Sequence, residues 1–223
     1  MEDWFGGVNR AAEALLTRAG YEVVSPPGQT CCGALAAHDG AMPEAIRLAA
    51  TNIEAFSGFD LVVATAAGCS AHLRDYGHFG GAGIAGNARD VTEVVAGLIE
   101  SGHLPKFDLS RGPVAVQDAC HLRHAQRIFA APRTILRAAG YTVVEIDPDG
   151  ICCGAAGIYS LLRPVASAEL GRRKAEQVRA SGTALVASAN PGCELQLRSH
   201  LGGNYRIAHP VELYLEAVIH HGR

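Results

Sequence analysis

The sequence lacks the features that mark membrane, secreted and nucleic-acid-binding proteins. Its longest nearly apolar stretch, residues 61–67, is far shorter than the roughly 20 residues that a membrane-spanning helix needs. Residues 1–5 have neither the basic nor the apolar region of a secretory signal. The net charge is only −3, and the one basic run, Arg172-Arg173-Lys174, is interpreted as the solvated face of a helix. We therefore expect a cytoplasmic protein with no transmembrane segment and no affinity for nucleic acid.

Familiar catalytic and nucleotide-binding motifs are also missing. No Ser-His-Asp order, paired carboxylates, Gly-x-Gly-x-x-Gly fingerprint or Cys-x-x-Cys pair stands out. The chain is therefore not expected to hold its own flavin or nicotinamide. A thiol–disulfide enzyme that uses Cys152-Cys153 is the weakest alternative, because a disulfide between neighbouring residues is strained.

What the sequence does contain is a repeated cysteine pattern. The tripeptide Cys-Cys-Gly occurs at residues 31–33 and 152–154, and each copy is followed at a similar distance by one more cysteine, Cys69 or Cys193. Only the second copy has a leading cysteine, Cys120, and all seven cysteines belong to this pattern. In a reducing compartment an odd number of thiols favours metal ligands or free thiols over disulfides.

The segments around these cysteines predict alternating helices and strands, which is typical of α/β proteins with parallel sheets covered on both faces. We predict two Rossmann-like parallel-sheet units, residues 1–105 and 106–223, related by internal duplication and a pseudo-twofold axis, with their connection in residues 77–112. Helices are predicted over residues 12–19, 43–56, 133–139 and 164–180, and strands over residues 21–24, 60–65, 113–119, 141–145 and 184–188.

The two predicted units differ at their beginnings. At an offset of 120 residues, His121 corresponds to Met1, so the first unit has no counterpart of the opening strand and of Cys120. We expect either a shortened N-terminus or a site that has decayed.

The second unit offers four thiols for one site. Cys120, Cys152-Cys153 and Cys193 each follow a predicted strand, and the carboxyl ends of parallel strands meet at one edge of a sheet. Four thiolates are the usual ligand set of an iron–sulfur cluster, and adjacent cysteines suit an extended cluster better than one tetrahedral zinc ion. The alternatives are zinc, or a tight turn of small buried residues that binds nothing.

The first unit offers three thiols, Cys31, Cys32 and Cys69, which hold either nothing or zinc with a fourth ligand such as His72 or His38. His72 lies three residues after Cys69, on the same face of a predicted helix. In the second unit, His121 and His124 lie close after Cys120 in sequence and are expected either to donate hydrogen bonds to cluster sulfurs or to cap a helix.

Several separate motifs resemble the cysteine-rich CCG-domain family. The closest resemblance is to the iron–sulfur subunit of glycolate oxidase, followed by lactate-utilisation proteins and the B subunit of heterodisulfide reductase. The motifs cover nearly the whole chain and comprise residues 8–12, 26–35, 118–126, 152–159, 190–193 and 209–213.

The resemblance implies an electron-transfer role. A partner flavoprotein subunit would oxidise glycolate or a related 2-hydroxy acid, and this chain would relay electrons through a cluster, expected to be of the type [4Fe–4S], held by Cys120, Cys152, Cys153 and Cys193. Such a chain would be a non-catalytic subunit that reaches the inner face of the membrane only through its partners. The fuller family pattern ends in Cys-x-x-Cys, whereas here His72 and Gln196 occupy the last positions, and the ferredoxin-like segment of that subunit is missing. The alternative is a zinc-binding or metal-free interaction module of a redox complex.

Overall fold

The computed structural model describes residues 2–221, with side chains described from residue 5 onward. The predicted unit ends at residues 1 and 223 lie outside this range. The described chain contains eleven α-helices, together with a 3₁₀ turn (Asp75–Phe79) and a π-helical turn (His121–Ala125). The helices are α1 (Glu2–Arg18), α2 (Ala34–His38), α3 (Met42–Ala55), α4 (Ala67–Arg74), α5 (Ala82–Asn87), α6 (Val91–Glu100), α7 (Ala130–Ala138), α8 (Tyr159–Leu162), α9 (Pro164–Ala180), α10 (Pro191–Leu201) and α11 (Pro210–His221).

Within residues 2–221, six strands form two separate sheets, and every pairing in them is parallel. The smaller sheet has the order β1-β2 and the larger one the order β4-β3-β5-β6. This confirms the predicted α/β class with parallel strands, whereas the internal duplication and its pseudo-twofold axis stay predictions. The strands are β1 (Val62–Ala64), β2 (Ala88–Asp90), β3 (Pro113–Gln117), β4 (Thr142–Glu145), β5 (Leu185–Ser188) and β6 (Arg206–Ala208).

The larger sheet has a reversal in its strand order. The chain passes from the inner strand β3 to β4 on one side, and then to β5 on the other side. Loops that leave the carboxyl ends of strands at such a reversal diverge and leave a crevice, which is where open α/β sheets bind their ligands. The cysteines of the second unit follow these three strands.

One predicted strand is wrong. Residues 21–24 are irregular, although their sequence is rich in β-branched residues. The comparable strand of the second unit, β4, pairs with β3 alone. The described residues of the first unit contain no strand comparable to β3, so residues 21–24 have no backbone to pair with.

The predicted connection over residues 77–112 also contains more structure than expected. It includes α5, β2 and α6, and β2 pairs with β1 to complete the smaller sheet. The strand is only three residues long and carries Arg89 and Asp90, so its sequence has no apolar run to reveal it. Strand β6 was missed for the same reason, because it too has three residues and begins at Arg206.

The largest apolar core joins the two predicted units. Helix α1 packs on α11 and α6 packs on α7, so side chains such as Leu15, Ile99, Ile135 and Tyr214 share one buried cluster. Each of these four side chains is at most 1% exposed. No helix within residues 2–221 combines the length and the apolar character needed to cross a membrane.

A buried histidine immediately precedes the last helix, α11. His209 is 2% exposed, and its Nδ1 accepts a hydrogen bond from the backbone N–H of Val211 at 3.2 Å. Burial lowers the pKa of His209 to about 3. The unfolded chain therefore takes up a proton on this imidazole below about pH 6.5, whereas the folded chain does not until about pH 3, so stability is lost as the pH falls through that window.

We predict that His209→Asn removes part of this acid sensitivity. Asparagine is a good helix N-cap and has no titrating group in this range. Between pH 7 and pH 5 the free energy of unfolding of the unaltered protein should fall by about 2 kcal/mol more than that of the variant. Urea unfolding at the two pH values measures this difference, and parallel losses in the two proteins would contradict it.

Candidate metal centre

The structure brings the cysteines into two groups. The second thiol group consists of Cys120, Cys152, Cys153 and Cys193, which follow β3, β4 and β5. The first thiol group consists of Cys31, Cys32 and Cys69, of which Cys69 lies on α4 after β1. All seven are free thiols, and those that the sequence placed together do meet.

The second thiol group forms a row of interacting sulfurs. Neighbouring thiols influence each other's ionisation along this row, Cys120 with Cys152, Cys152 with Cys153, and Cys153 with Cys193. Cys153 and Cys193 are buried at 2% and 3% exposure, while Cys120 and Cys152 are half-buried. One end of the row therefore faces the surface and the other lies in the interior.

Protons are shared unequally along this row. The Cys120 thiol donates to Cys152 and lowers its pKa, and the Cys153 thiol does the same for Cys193. The same hydrogen bonds and burial raise the pKa of Cys120 and of Cys153. The pKa values of Cys152 and Cys193 are thus the lowered ones of the four, and a metal cation at the row would favour loss of the protons from all of them.

The glycine of each Cys-Cys-Gly loop allows the loop to approach a helix. Gly33 and Gly154 have φ values of +89° and +90°, in the left-handed region that other residues rarely adopt. A Cβ atom on Gly154 would lie 2.5 Å from the carbonyl oxygen of Ser167 in α9, and one on Gly33 would lie 3.3 Å from that of Ala45 in α3. The backbone angle therefore favours glycine at both positions, and at Gly154 the lack of space also requires it.

We predict that Gly154→Ala destabilises the protein by about 3 kcal/mol, from the left-handed angle and the overlap together. Gly182→Ala is the matched control, because Gly182 also has a positive φ of +70° but has open space around it. The control should cost about 1 kcal/mol. Thermal and urea unfolding compare the two variants, and equal costs would show that the contact with α9 is unimportant.

A network of charges holds the loop before Cys152. Arg123 pairs with Asp118 at 2.6 Å and also donates to the carbonyl oxygen of Pro148. His124 Nε2 lies 3.0 Å from the carbonyl oxygen of Gly150, so this histidine contacts the loop rather than a sulfur. His121 does lie beside a sulfur, with its Nδ1 3.5 Å from Cys120 Sγ.

A buried ion pair lies behind the same loop. The Lys174 ammonium contacts the Asp147 carboxylate, with side-chain exposures of 1% and 2%. The interpretation of Arg172-Arg173-Lys174 as a solvated face is therefore wrong for Lys174, which points inward, while Arg172 and Arg173 are exposed. The positive charge of Lys174 also helps to lower the pKa of Cys152.

The first thiol group is held by two buried side chains. The Asn52 side-chain amide donates to the carbonyl oxygen of Cys31 at 3.0 Å, and the Tyr76 hydroxyl donates to that of Cys32 at 2.8 Å. Asn52 and Tyr76 are 1% and 0% exposed. Cys69 accepts a hydrogen bond from Cys32, which lowers the pKa of Cys69 and raises that of Cys32.

His72 lies next to this first group, as its spacing from Cys69 predicted. The side chain is 6% exposed, and its Nε2 has no hydrogen-bond partner among the described residues. A Cβ atom on Gly33 would lie 3.5 Å from this nitrogen, so the unpartnered atom faces the Cys-Cys-Gly loop. Burial lowers the pKa of His72, which keeps the imidazole neutral. Within residues 2–221, however, no three His, Cys, Asp or Glu side chains form a group that could hold a single metal ion.

The two thiol groups approach each other. His38, at the end of α2, stacks on His121 with 5.4 Å between ring centroids. The Asn190 side chain contacts both Cys193 and the backbone of Gly68. The sequence did not reveal the roles of Asn190, Asn52 and the Lys174–Asp147 pair, because these roles depend on contacts between segments distant in the chain.

Comparison with known proteins identifies the family. The family model described as "Cysteine-rich domain" (CCG) matches residues 3–74 and 114–198. The chain is 34% identical to the probable glycolate oxidase iron-sulfur subunit of Bacillus subtilis (strain 168), over 99% of this chain and 53% of that protein. It is 29% identical to the glycolate oxidase iron-sulfur subunit of Escherichia coli (strain K12), over 94% of this chain and 54% of that protein.

A further relative is lactate utilization protein A of Oceanobacillus iheyensis, with 25% identity over 94% of this chain and 90% of that protein. The chain spans about half the length of the two glycolate oxidase subunits. The family matches include both Cys-Cys-Gly loops and the cysteines that follow them. The chain therefore belongs to the cysteine-rich (CCG) domain family.

Proposed function

We propose that this chain is an iron–sulfur electron-transfer subunit, or part of one, in a complex that oxidises glycolate or a related 2-hydroxy acid. The observation that carries the proposal is the row of four thiols at the strand reversal of the larger sheet. Support also comes from the relatives, two of which are named as iron-sulfur subunits of glycolate oxidase. The chain would not bind the hydroxy acid itself.

The donor set of the second thiol group fits an iron–sulfur cluster. Four cysteine sulfurs are the usual ligands of a [4Fe–4S] cluster, which supplies one-electron transfer when bound. Two of these sulfurs already accept hydrogen bonds from non-thiol groups, Cys152 from the Gly154 N–H at 3.3 Å and Cys193 from Asn190. Such donors and the nearby Lys174 charge stabilise thiolate sulfur and tune reduction potential.

The unequal burial of the four thiols indicates the side from which a redox partner would exchange electrons with them. Cys120 and Cys152 are half-buried, whereas Cys153 and Cys193 are closed off from solvent. A redox partner would reach the sulfurs from the side of Cys120 and Cys152. We propose a flavoprotein subunit as the electron donor on that side, and the seven free thiols favour a reducing compartment such as the cytoplasm.

The first thiol group, with His72, is proposed as a second and incomplete metal-binding position. Its backbone is held in place by Asn52 and Tyr76, and the unpartnered His72 Nε2 faces it. A zinc-binding or metal-free interaction module is the alternative function of the whole chain. The described side chains give the zinc alternative no single-ion site.

Metal analysis of protein purified without oxygen tests the proposal. The expected result is iron and acid-labile sulfide in equal amounts, with absorption in the visible range and an EPR signal after reduction. Zinc without iron would favour the interaction module. Protein that stays free of iron after anaerobic reconstitution would contradict the electron-transfer role.

A further inference from the structure

The Asn190 side chain is diverted from the position that an N-terminal cap normally takes. Asn190 precedes α10 with extended backbone angles, and asparagine there usually accepts a hydrogen bond from the first turn of its own helix. Its side chain makes no such bond in this structure. Giving up a cap is unfavourable, so the side chain must be stabilised by other contacts.

Those contacts lie on a sulfur of the second thiol group and on the backbone next to Cys69 of the first. Asn190 Nδ2 lies 3.6 Å from Cys193 Sγ, and Asn190 Oδ1 lies 3.2 Å from the backbone nitrogen of Gly68. A backbone N–H can only donate, which assigns the oxygen of the amide to Gly68 and leaves its NH₂ group for the sulfur. One planar amide therefore connects a sulfur of the second thiol group to the residue before Cys69.

Helix α4, which carries Cys69 and His72, depends on this connection. Its own N-cap residue is Ala66, which has no side-chain oxygen to offer. The first two N–H groups of α4 instead donate across to the loop after β5, from Ala67 to the carbonyl oxygen of Ala189 at 3.2 Å and from Gly68 to Asn190. Two of the backbone N–H groups that have no partner within the first turn of α4 therefore donate to the residues just before α10, the helix that carries Cys193.

We propose that Asn190 is a positioning residue that couples the two thiol groups, capping α4 through its oxygen while it donates to the Cys193 sulfur through its nitrogen. The sulfur part of this inference rests on the proposed function, because it concerns a cluster at the second thiol group. The capping of α4 by the Asn190 oxygen does not require a metal.

Two variants test the contacts of the Asn190 side-chain oxygen and nitrogen separately. Asn190→Ala removes both contacts, whereas Asn190→Asp keeps an oxygen for Gly68 but puts a carboxylate beside the sulfur. Asn204→Ala, at an exposed position, is the control. In metal-free protein we expect the amides of residues 67 and 68 to exchange with deuterium about fivefold faster in Asn190→Ala, and at the unaltered rate in Asn190→Asp and in the control.

In cluster-loaded protein, both Asn190 variants should have a lower midpoint potential in an EPR-monitored titration, with Asn190→Asp the lower of the two. Unchanged exchange at residues 67 and 68 in Asn190→Ala would overturn the capping role. Unchanged potentials in both variants would overturn the role at Cys193. If the unaltered protein takes up no cluster, both the proposed function and the role of Asn190 at the Cys193 sulfur are contradicted. The exchange rates of residues 67 and 68 still decide whether Asn190 caps α4.

Discussion

Replacing Cys153 by serine is expected to abolish iron binding, with the iron content of anaerobically purified protein falling by about tenfold or more. Cys153 lies at the buried end of the second thiol group and interacts with both Cys152 and Cys193. The cysteines of the first thiol group belong to other segments, Cys31 and Cys32 to the other Cys-Cys-Gly loop and Cys69 to α4, so we do not expect them to replace it. Iron and sulfide assays, with visible absorption, measure the loss.

Cys32→Ser is the matched control for this prediction. Cys32 has the same place in its own Cys-Cys-Gly loop as Cys153 but belongs to the first thiol group. Its replacement should leave the cluster of the second group in place. Cys153→Ala tests whether the loss reflects the missing ligand, because alanine avoids placing a hydroxyl in the apolar surroundings of Cys153. A Cys153→Ser protein that is folded and retains full iron would show that this residue is not a ligand.

Lys174→Met is expected to destabilise the folded protein by about 3–5 kcal/mol, which is the usual cost of leaving a buried charge without its partner. The Asp147 carboxylate is 2% exposed and would face a methionine. The double variant Lys174→Met with Asp147→Leu should recover most of the loss, because replacing a whole buried pair by apolar residues is often neutral. Urea unfolding of the metal-free proteins gives the free energies.

Arg173→Met is the control for the ion pair. Arg173 is the neighbouring residue on α9, but its side chain is 66% exposed and its contact with Glu169 lies at the surface. Its replacement should change stability by less than about 0.5 kcal/mol. If Lys174→Met were no more harmful than Arg173→Met, the buried pair would not be important for folding of this region.

The positions of the thiols could be predicted from the sequence because cysteine spacing and apolar strands carry the same information. Cys120 and Cys193 each follow an apolar run, and parallel strands place their carboxyl ends at one edge. In the structure these two thiols and the Cys152-Cys153 pair are neighbours that influence each other's pKa, while their role as metal ligands stays a prediction. The glycines of both loops were explained only by the structure, which shows the helix carbonyl groups that they approach.

The remaining features depend on tertiary contacts. Residues 21–24 have the composition of a strand, but a strand needs a neighbour with which to form hydrogen bonds. Lys174 belongs to a run of charges that is typical of a surface, and only the position of Asp147 shows that it points inward. Asn190 would be taken for an ordinary helix cap until its contact with Gly68, 122 residues away, is seen.

The most direct test uses a triple variant, Cys31→Ser with Cys32→Ser and Cys69→Ser, in which only the four thiols of the second group remain. Mössbauer spectroscopy of this protein after anaerobic reconstitution with ⁵⁷Fe and sulfide reports the type of iron site. We predict the spectrum of a [4Fe–4S] cluster with about four iron ions per chain. A folded triple variant that holds no cluster iron would contradict the assignment of Cys120, Cys152, Cys153 and Cys193 as its ligands.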